Sequence, residues 1–312
     1  MKIIITGALG HIGSQLLRIL PISFPNSQII LIDNLVTQRY CSLFNLDKKV
    51  NYTFYEYDIL TCNLDSLLAN ATLVIHLAAI TNAAGSFEKQ EEIENVNFIG
   101  TKRIAEACIK HDVKLLFLST TSVYGTQKDV VNEDCDKSEL APQSPYATSK
   151  LNSEYLLSEL ASNKGLKHIT CRFGTIFGTS IGMRFHTAIN KFCWQAVMGQ
   201  PITVWTTALN QVRPYLELND AINSIIFIIE KDLFNSGTYN ILTLNSSVKS
   251  ILDLINHYNP GIQIQYVDTE IMNQLSYKVE NDKFKSTGFQ FQGSLERSLK
   301  ETIDLLKGAN NV

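Results

Sequence analysis

The chain has 312 residues, enough for one large or two modest domains with an ample core. Hydrophobic residues make up 45% and the formal net charge is −3, a balance that argues against a partner of phosphate-backbone type such as nucleic acid. Cys41, Cys62, Cys108, Cys135, Cys171 and Cys193 show no Cys-x-x-Cys spacing and read as reduced structural thiols, and no metal is expected. The first strand leaves no room for a removable leader, and the longest apolar stretch, Ile222 to Ile229, is too short to span a bilayer. A cytoplasmic protein without a membrane partner is expected.

Lys2 to Thr6 reads as a short buried strand. Gly7, Gly10 and Gly13 follow in Thr-Gly-Ala-Leu-Gly-His-Ile-Gly-Ser, and Ser14 to Leu20 has the apolar spacing of a helix. Strand, glycine turn and helix place backbone N–H groups at a helix N-terminus, where they can hold a pyrophosphate. A second strand, Gln28 to Ile32, ends at Asp33, twenty residues after Gly13, where a ribose-binding carboxylate belongs. That carboxylate accepts ribose hydroxyls and repels a 2′-phosphate. Asn34, Leu35, Val36 and Thr37 supply no cation to offset it, and Arg39 sits well down the loop. NAD is therefore favoured over NADP.

Apolar or aromatic runs continue at Tyr52–Tyr57, Leu73–Leu77, Leu115–Ser119 and His168–Phe173. Helical patterns lie between them at Leu64–Ala69, Glu91–His111 and Tyr146–Asn163. The alternation signals an α/β fold, a Rossmann doubly wound parallel sheet with helices on both faces. Past Phe173 the rhythm loosens. Helices are expected at Phe185–Met198, Asp220–Glu230 and Ser247–His257, strands at Ile202–Trp205 and Gly237–Ile241, and a turn at Asn259-Pro260-Gly261. No linker or repeat interrupts the chain. Residues 1–174, with a return segment near 213–236, are expected to form the NAD-binding domain; 175–212 and 237–312 form a smaller C-terminal α/β substrate lobe.

Tyr146 stands four residues ahead of Lys150 in Ser-Pro-Tyr-Ala-Thr-Ser-Lys, so both project from one helix face. An ammonium beside a phenol favours the phenolate, which makes a general base usable near neutral pH.

Taken in order, Thr6–Gly13, Asp33-Asn34-Leu35, Asp58-Ile59, His76-Leu77-Ala78-Ala79, Asn97 in Asn-Phe-Ile-Gly-Thr, Ser119–Gly125, Tyr146 with Lys150, Arg172–Gly178 and Arg213 in Gln-Val-Arg-Pro-Tyr span nearly the whole chain. In this order and spacing the chain resembles an extended short-chain dehydrogenase/reductase of the nucleotide-sugar epimerase/dehydratase group. The resemblance implies NAD as cofactor and a nucleotide-diphosphate sugar as substrate. It implies His11 and Ile12, with Gly7, Gly10 and Gly13, against the pyrophosphate. Asp33 and Asn34 would hold the adenosine ribose, Asp58 and Ile59 the adenine edge. Leu77, Ala78 and Ala79 would line the groove, and Asn97 would support the site from the long helix. Thr120 would hold the substrate hydroxyl, with Tyr146 as base and Lys150 as its electrostatic partner. His76 reads as a packed strand-end histidine. Thr81 is open between a substrate contact and an ordinary loop residue.

The resemblance has departures. Family dehydratases carry a carboxylate just after Thr120; here Thr121 and Ser122 stand there, and a hydroxyl cannot supply the acid/base step of elimination. Glu217 replaces the usual His, Thr175 replaces the usual Asn, and Leu275-Ser276 replaces an Arg ahead of Tyr277. Arg184 and Arg213 are then the main cations for the diphosphate, with Thr175 and Tyr277 as further substrate positions. The reading that results is a nucleotide-diphosphate-sugar 4-epimerase working through a transient 4-ketosugar. Gly182-Met183-Arg184-Phe185 also resembles a subgroup containing sugar-nucleotide 4-dehydrogenases, so a 4-dehydrogenase/4-ketoreductase is the alternative. A noncatalytic NAD sensor would not be expected to keep Thr120, Tyr146 and Lys150. The helices at Glu91–His111 and Tyr146–Asn163 resemble those of a four-helix homodimer interface.

Overall fold

A computed structural model describes residues 1–82, 84–125, 129–268 and 276–308. The first part of the chain runs β1 (Lys2–Thr6), α1 (His11–Ser23), β2 (Gln28–Asp33), β3 (Asn51–Glu56), α2 (Leu64–Leu68), β4 (Leu73–His76), α3 (Gln90–Ile93), α4 (Gly100–Lys110), β5 (Lys114–Thr120), β6 (Val130–Val131), α5 (Pro145–Lys164) and β7 (His168–Phe173). It continues through β8 (Thr175–Phe177), α6 (Ala188–Val197), β9 (Ile202–Trp205), β10 (Val212–Glu217), α7 (Leu218–Glu230), β11 (Thr238–Ile241), β12 (Leu244–Ser247), α8 (Val248–Tyr258), β13 (Ile264–Val267), β14 (Lys278–Val279), α9 (Asp282–Lys285) and α10 (Leu295–Leu306).

Seven strands form one parallel sheet in the order β11-β7-β5-β4-β1-β2-β3. Alternation along β1 sends Ile3 and Ile5 to one face and Ile4 to the other. The first face buries Leu16 and Leu17 of α1 and Ile222 and Ile225 of α7; the second buries Ile104 and Cys108 of α4 and Leu157 of α5. A separate apolar cluster joins Phe192 of α6, Ile251 of α8 and Leu299 of α10 around Phe177.

From β1 the chain builds β2 and β3 on one side, then returns to place β4 on the other. This reversal opens a crevice at the carboxyl ends of β1 and β4, the usual place for a ligand in such a sheet. The walls are close there. Gly7 has φ +64°, and a Cβ on it would lie 2.6 Å from the Ala78 nitrogen.

Several boundaries differ from the sequence reading. α1 starts at His11, directly on the glycine turn, and runs on through Pro21. The expected helix Glu91–His111 is three pieces, because Glu94–Ile99 winds as a π turn between α3 and α4. α6 begins at Ala188, not Phe185. The short strands β6, β8, β10, β12, β13 and β14 were not anticipated; each takes its hydrogen bonds from distant chain.

Candidate active site

The glycine turn is held in a shape that leaves one side bare. Gly10 caps α1 in extended conformation, and a Cβ there would meet the Gly7 oxygen at 3.3 Å. Gly13 serves packing, since its Cβ would press into the Ala8 carbonyl. Asp33 at the end of β2 accepts the Leu9 N–H at 3.1 Å and the Leu35 N–H at 3.0 Å, which fixes its carboxylate beside the turn. Asn34 donates to Asp58 at 3.1 Å, and the buried Ile59 packs below α4. Bare glycine, free helix N–H groups and a fixed acceptor together fit the pyrophosphate and ribose of a dinucleotide.

Two residues at this end depart from expectation. The His11 ring turns away to Gly178, whose carbonyl lies 2.9 Å from Nε2. Burial lowers its pKa to about 4, the Gly178 bond opposing and Arg39 and Arg184 adding to the fall, so it is neutral. Arg39 is not remote: its Nη1 lies 3.8 Å from where a Cβ on Gly10 would be. Ile12 packs against the core of the sheet.

Behind Leu77, Ala78 and Ala79 runs a one-way chain of hydrogen bonds. The Thr101 hydroxyl donates to the Asn97 carbonyl, so His76 must donate to Thr101 through Nε2 (3.1 Å) and accept from Thr6 at Nδ1 (2.7 Å). Thr6 in turn accepts the Ala78 N–H at 3.3 Å. Burial drops the His76 pKa to about 3, which keeps it a neutral link. The expected packing role therefore holds. Asn97, fully buried in the π turn, accepts the Ile80 N–H at 2.8 Å and donates to the Ile80 carbonyl and to Ser149 Oγ. It braces the groove and does not face it.

The reaction end forms where β5 meets α5. Ser144 caps α5, accepting the Ala147 N–H at 3.2 Å, and Pro145 presets the first turn. Tyr146 thereby stands at the helix start beside Thr120, the last residue of β5. Thr120 Oγ1 accepts the Ser122 N–H at 3.1 Å and lies close enough to the Tyr146 phenol to act on it. Burial pushes the Tyr146 pKa up to about 12; the Thr120 hydroxyl and the charge of Arg184 pull it back.

Lys150 lies one turn past Tyr146 on α5. Its Nζ donates to the Leu118 carbonyl at 2.8 Å and lies 4.7 Å from the Phe117 ring centroid, and Arg184 is the cation whose field lowers the Tyr146 pKa. The reason is burial: the lysine is only 3% exposed and must satisfy its N–H groups locally. Burial depresses its pKa to about 7, and Glu154, one turn further along α5, opposes the fall.

Glu154 begins a buried ionic cluster. Arg172 on β7 binds it through Nη2 at 2.7 Å and through Nε to both oxygens at 3.1 Å, and Ser119 also donates to it. Arg172 Nη1 donates to Tyr124 at 2.8 Å, and Tyr124 donates to Asn240 at 2.9 Å. Burial works against the Arg172 charge, yet Glu154 more than offsets it and raises the pKa. Sequence reasoning passed over Glu154 and Asn240. The available signal was a carboxylate four residues past Lys150 on a helix face that must be buried.

The other expected substrate residues lie on separate segments of the chain. Arg184 reaches the Thr81 hydroxyl, and the buried Arg184 Nε has no hydrogen-bond partner among the described residues. Thr175 is half-buried on β8. The Arg213 guanidinium lies 5.2 Å from the Tyr277 ring centroid and contacts Gln211. Tyr277 is not open to a ligand: it is 3% exposed and its hydroxyl donates to the Thr121 carbonyl at 3.1 Å. Its place is underneath the turn that carries Thr120. Leu275 lies outside the described residues. Glu217, where a His was expected, caps α7 by accepting from Asn219 and Asp220.

Comparison with known proteins gives the family of the chain. A trifunctional UDP-glucose 4,6-dehydratase/UDP-4-keto-6-deoxy-D-glucose 3,5-epimerase/UDP-4-keto-L-rhamnose-reductase of Arabidopsis thaliana is 31% identical over 97% of this chain and 46% of that protein. The chain thus spans about half the length of this relative. A dTDP-D-glucose 4,6-dehydratase of Dictyostelium discoideum is 31% identical over 80% of this chain and 61% of its own length. Among solved structures, UDP-glucuronic acid 4-epimerase from Bacillus cereus, in complex with UDP-glucuronic acid and NAD, superposes with a TM-score of 0.87 at 25% identity, covering 98% of this chain and 99% of its own. The model of the NAD dependent epimerase/dehydratase family matches residues 3–241, and the chain belongs to that family.

Proposed function

We propose that the chain is a nucleotide-diphosphate-sugar 4-epimerase that uses NAD and works through a 4-ketosugar. The observation that carries this reading is the meeting of Thr120, at the end of β5, with Tyr146, at the start of α5, Thr120 being followed in sequence by two hydroxyl side chains and no carboxylate. Thr120 accepts the Ser122 N–H and keeps its own proton to donate, and its hydroxyl lowers the Tyr146 pKa, which favours the phenolate. The phenolate is positioned to take the proton of a sugar hydroxyl bridging the two residues. NAD, when bound, accepts hydride from the same carbon and can return it to the opposite face. Arg184, beside Thr81, supplies a cation near the reacting oxygen. Arg213 on β10 supplies a second guanidinium, which can bind two diphosphate oxygens bidentately.

Several relatives are dehydratases by name, which favours the opposite chemistry. Thr121 weighs against it: its hydroxyl is buried against the Phe173 carbonyl and has no titratable proton near neutrality. The 4-dehydrogenase/4-ketoreductase reading differs only in releasing the reduced cofactor. Incubation with UDP-, GDP-, CDP- and dTDP-sugars, read by mass and NMR, separates the three. Epimerisation leaves the mass unchanged and gives a new set of ring-proton couplings. A product lighter by one water, or lighter by two hydrogens with stoichiometric NADH, overturns the reading.

The same reading includes a homodimer. Ile104, Ala107, Leu151 and Leu160 are buried within the chain itself, while Ile99 and Tyr155 remain 38% and 46% exposed near the face formed by α4 and α5. These two supply the apolar contact for a second copy. Light scattering that finds only monomer at micromolar concentration refutes this part alone.

A further inference from the structure

We propose that Arg39 is a cofactor-binding residue that clamps the dinucleotide pyrophosphate onto the glycine turn, facing the N-terminus of α1. Sequence distance hides this, and the loop after β2 explains why. Leu35 and Gln38 both adopt left-handed conformations, with φ of 56° and 53°, and the Gln38 N–H bonds back to the Leu35 carbonyl at 2.8 Å. The chain thereby reverses toward β1. The Ser42 N–H then closes on the Arg39 carbonyl at 3.0 Å, and Ser42 Oγ donates to the Leu9 carbonyl at 2.8 Å. Arg18 of α1 donates to the Ser42 carbonyl from the other side. The backbone carrying Arg39 is thus tied to the glycine turn itself.

The side chain completes the argument. Gly10 is the turn glycine whose missing Cβ leaves room for a ligand, and the Arg39 guanidinium stands 3.8 Å from that missing atom. Among the described residues no hydrogen bond holds this guanidinium. Asp33 attracts it and Arg184 repels it, and burial together with Arg184 lowers its pKa to about 10. Arg39 thus stands near Asp33 and within the field of a second guanidinium, Arg184, at a turn whose own N–H groups are also donors. That arrangement has an excess of positive charge and of unused donors, and a doubly charged pyrophosphate matches both. A ribose 2′-phosphate matches less well, because Asp33 holds the ribose position and Gly10 lies under the centre of the turn.

Equilibrium binding tests the assignment without recourse to catalysis. Purified protein freed of nucleotide is titrated with NAD, ADP-ribose, NADP and adenosine, as wild type, Arg39→Ala and Arg39→Lys, with melting temperature as a control. Loss of a charge-assisted contact should weaken NAD and ADP-ribose by about 10- to 100-fold in Arg39→Ala, leave adenosine unchanged, and be partly restored in Arg39→Lys. Unchanged NAD affinity overturns the clamp. An equal loss for adenosine makes Arg39 a support of the loop, and a loss confined to NADP makes it a 2′-phosphate reader; either replaces the proposal. Wild-type protein that binds no dinucleotide defeats the clamp together with the cofactor site, whereas failure of the epimerase reading leaves this result untouched.

Discussion

At the cofactor end of the crevice the backbone makes the site; at the reaction end, side chains drawn from distant segments make it. Gly7, Gly10 and Gly13 act through missing atoms, and a single carboxylate, Asp33, is fixed by two neighbouring N–H groups. At Tyr146 the environment depends on Thr120, Arg184, Lys150 and, behind them, the Glu154–Arg172 pair. The first kind of site fails by steric intrusion. The second fails by loss of a charge or a proton, and its parts depend on one another.

That contrast can be broken at its strongest point by Tyr146→Phe. The variant should lose turnover by about 10²–10⁴ or more while NAD affinity stays near wild type, since the phenol is needed only for proton transfer. Steady-state rates on the identified sugar nucleotide, with cofactor binding measured in parallel, check both halves. Near-normal turnover removes Tyr146 as the base.

Glu154→Ala should be the next largest, a loss of about 3–5 kcal/mol in unfolding free energy, because it strands the Arg172 charge among buried groups. Gly13→Ala should cost less, about 1–3 kcal/mol, from a methyl forced against the Ala8 carbonyl. Denaturant titration compares the two directly. If Gly13→Ala proves the more damaging, the division between a backbone-built and a charge-built end is misplaced.

The smallest effect, taken per pH unit, is a slope. Lys150 has a folded pKa of about 7, far below that of an unfolded lysine, so the unfolded chain binds the extra proton between these values. Stability should therefore rise with pH above about 7, by at most roughly 1.4 kcal/mol per unit from this residue, and the penalty should be fully present below it. Lys150→Met should abolish that increment. Equal pH dependence in the two proteins would place the Lys150 pKa near its ordinary value.

What could be read from the sequence follows the same division. The sheet strands were legible because each is an apolar run, and the glycine turn because three glycines and Asp33 keep a local spacing. Tyr146 and Lys150 were legible as one helix face. The Glu154–Arg172 pair was not, because it exists only once β7 lies beside β5 under α5. Arg39 was misjudged because two non-glycine residues with positive φ leave little mark in composition. Tyr277 was taken for a ligand contact, but its hydroxyl is consumed by a backbone carbonyl that only the folded chain brings near. The spacing of Tyr146 and Lys150 shows a shared helix face and says nothing of the Leu118 carbonyl that also takes the ammonium.

The π turn at Glu94–Ile99 has a consequence for how this protein can vary. A π turn is an α-helix carrying one residue more than its hydrogen bonds require, and Asn97 sits inside it. Deleting one residue just ahead of Asn97 would restore ordinary helical bonding, yet swing the asparagine by roughly 100° relative to α3. The helix would survive and the brace on Ile80 and Ser149 would not. Here a single-residue deletion is more damaging than most substitutions, so the alignment of the groove with α5 is encoded in the length of the chain as much as in its side chains.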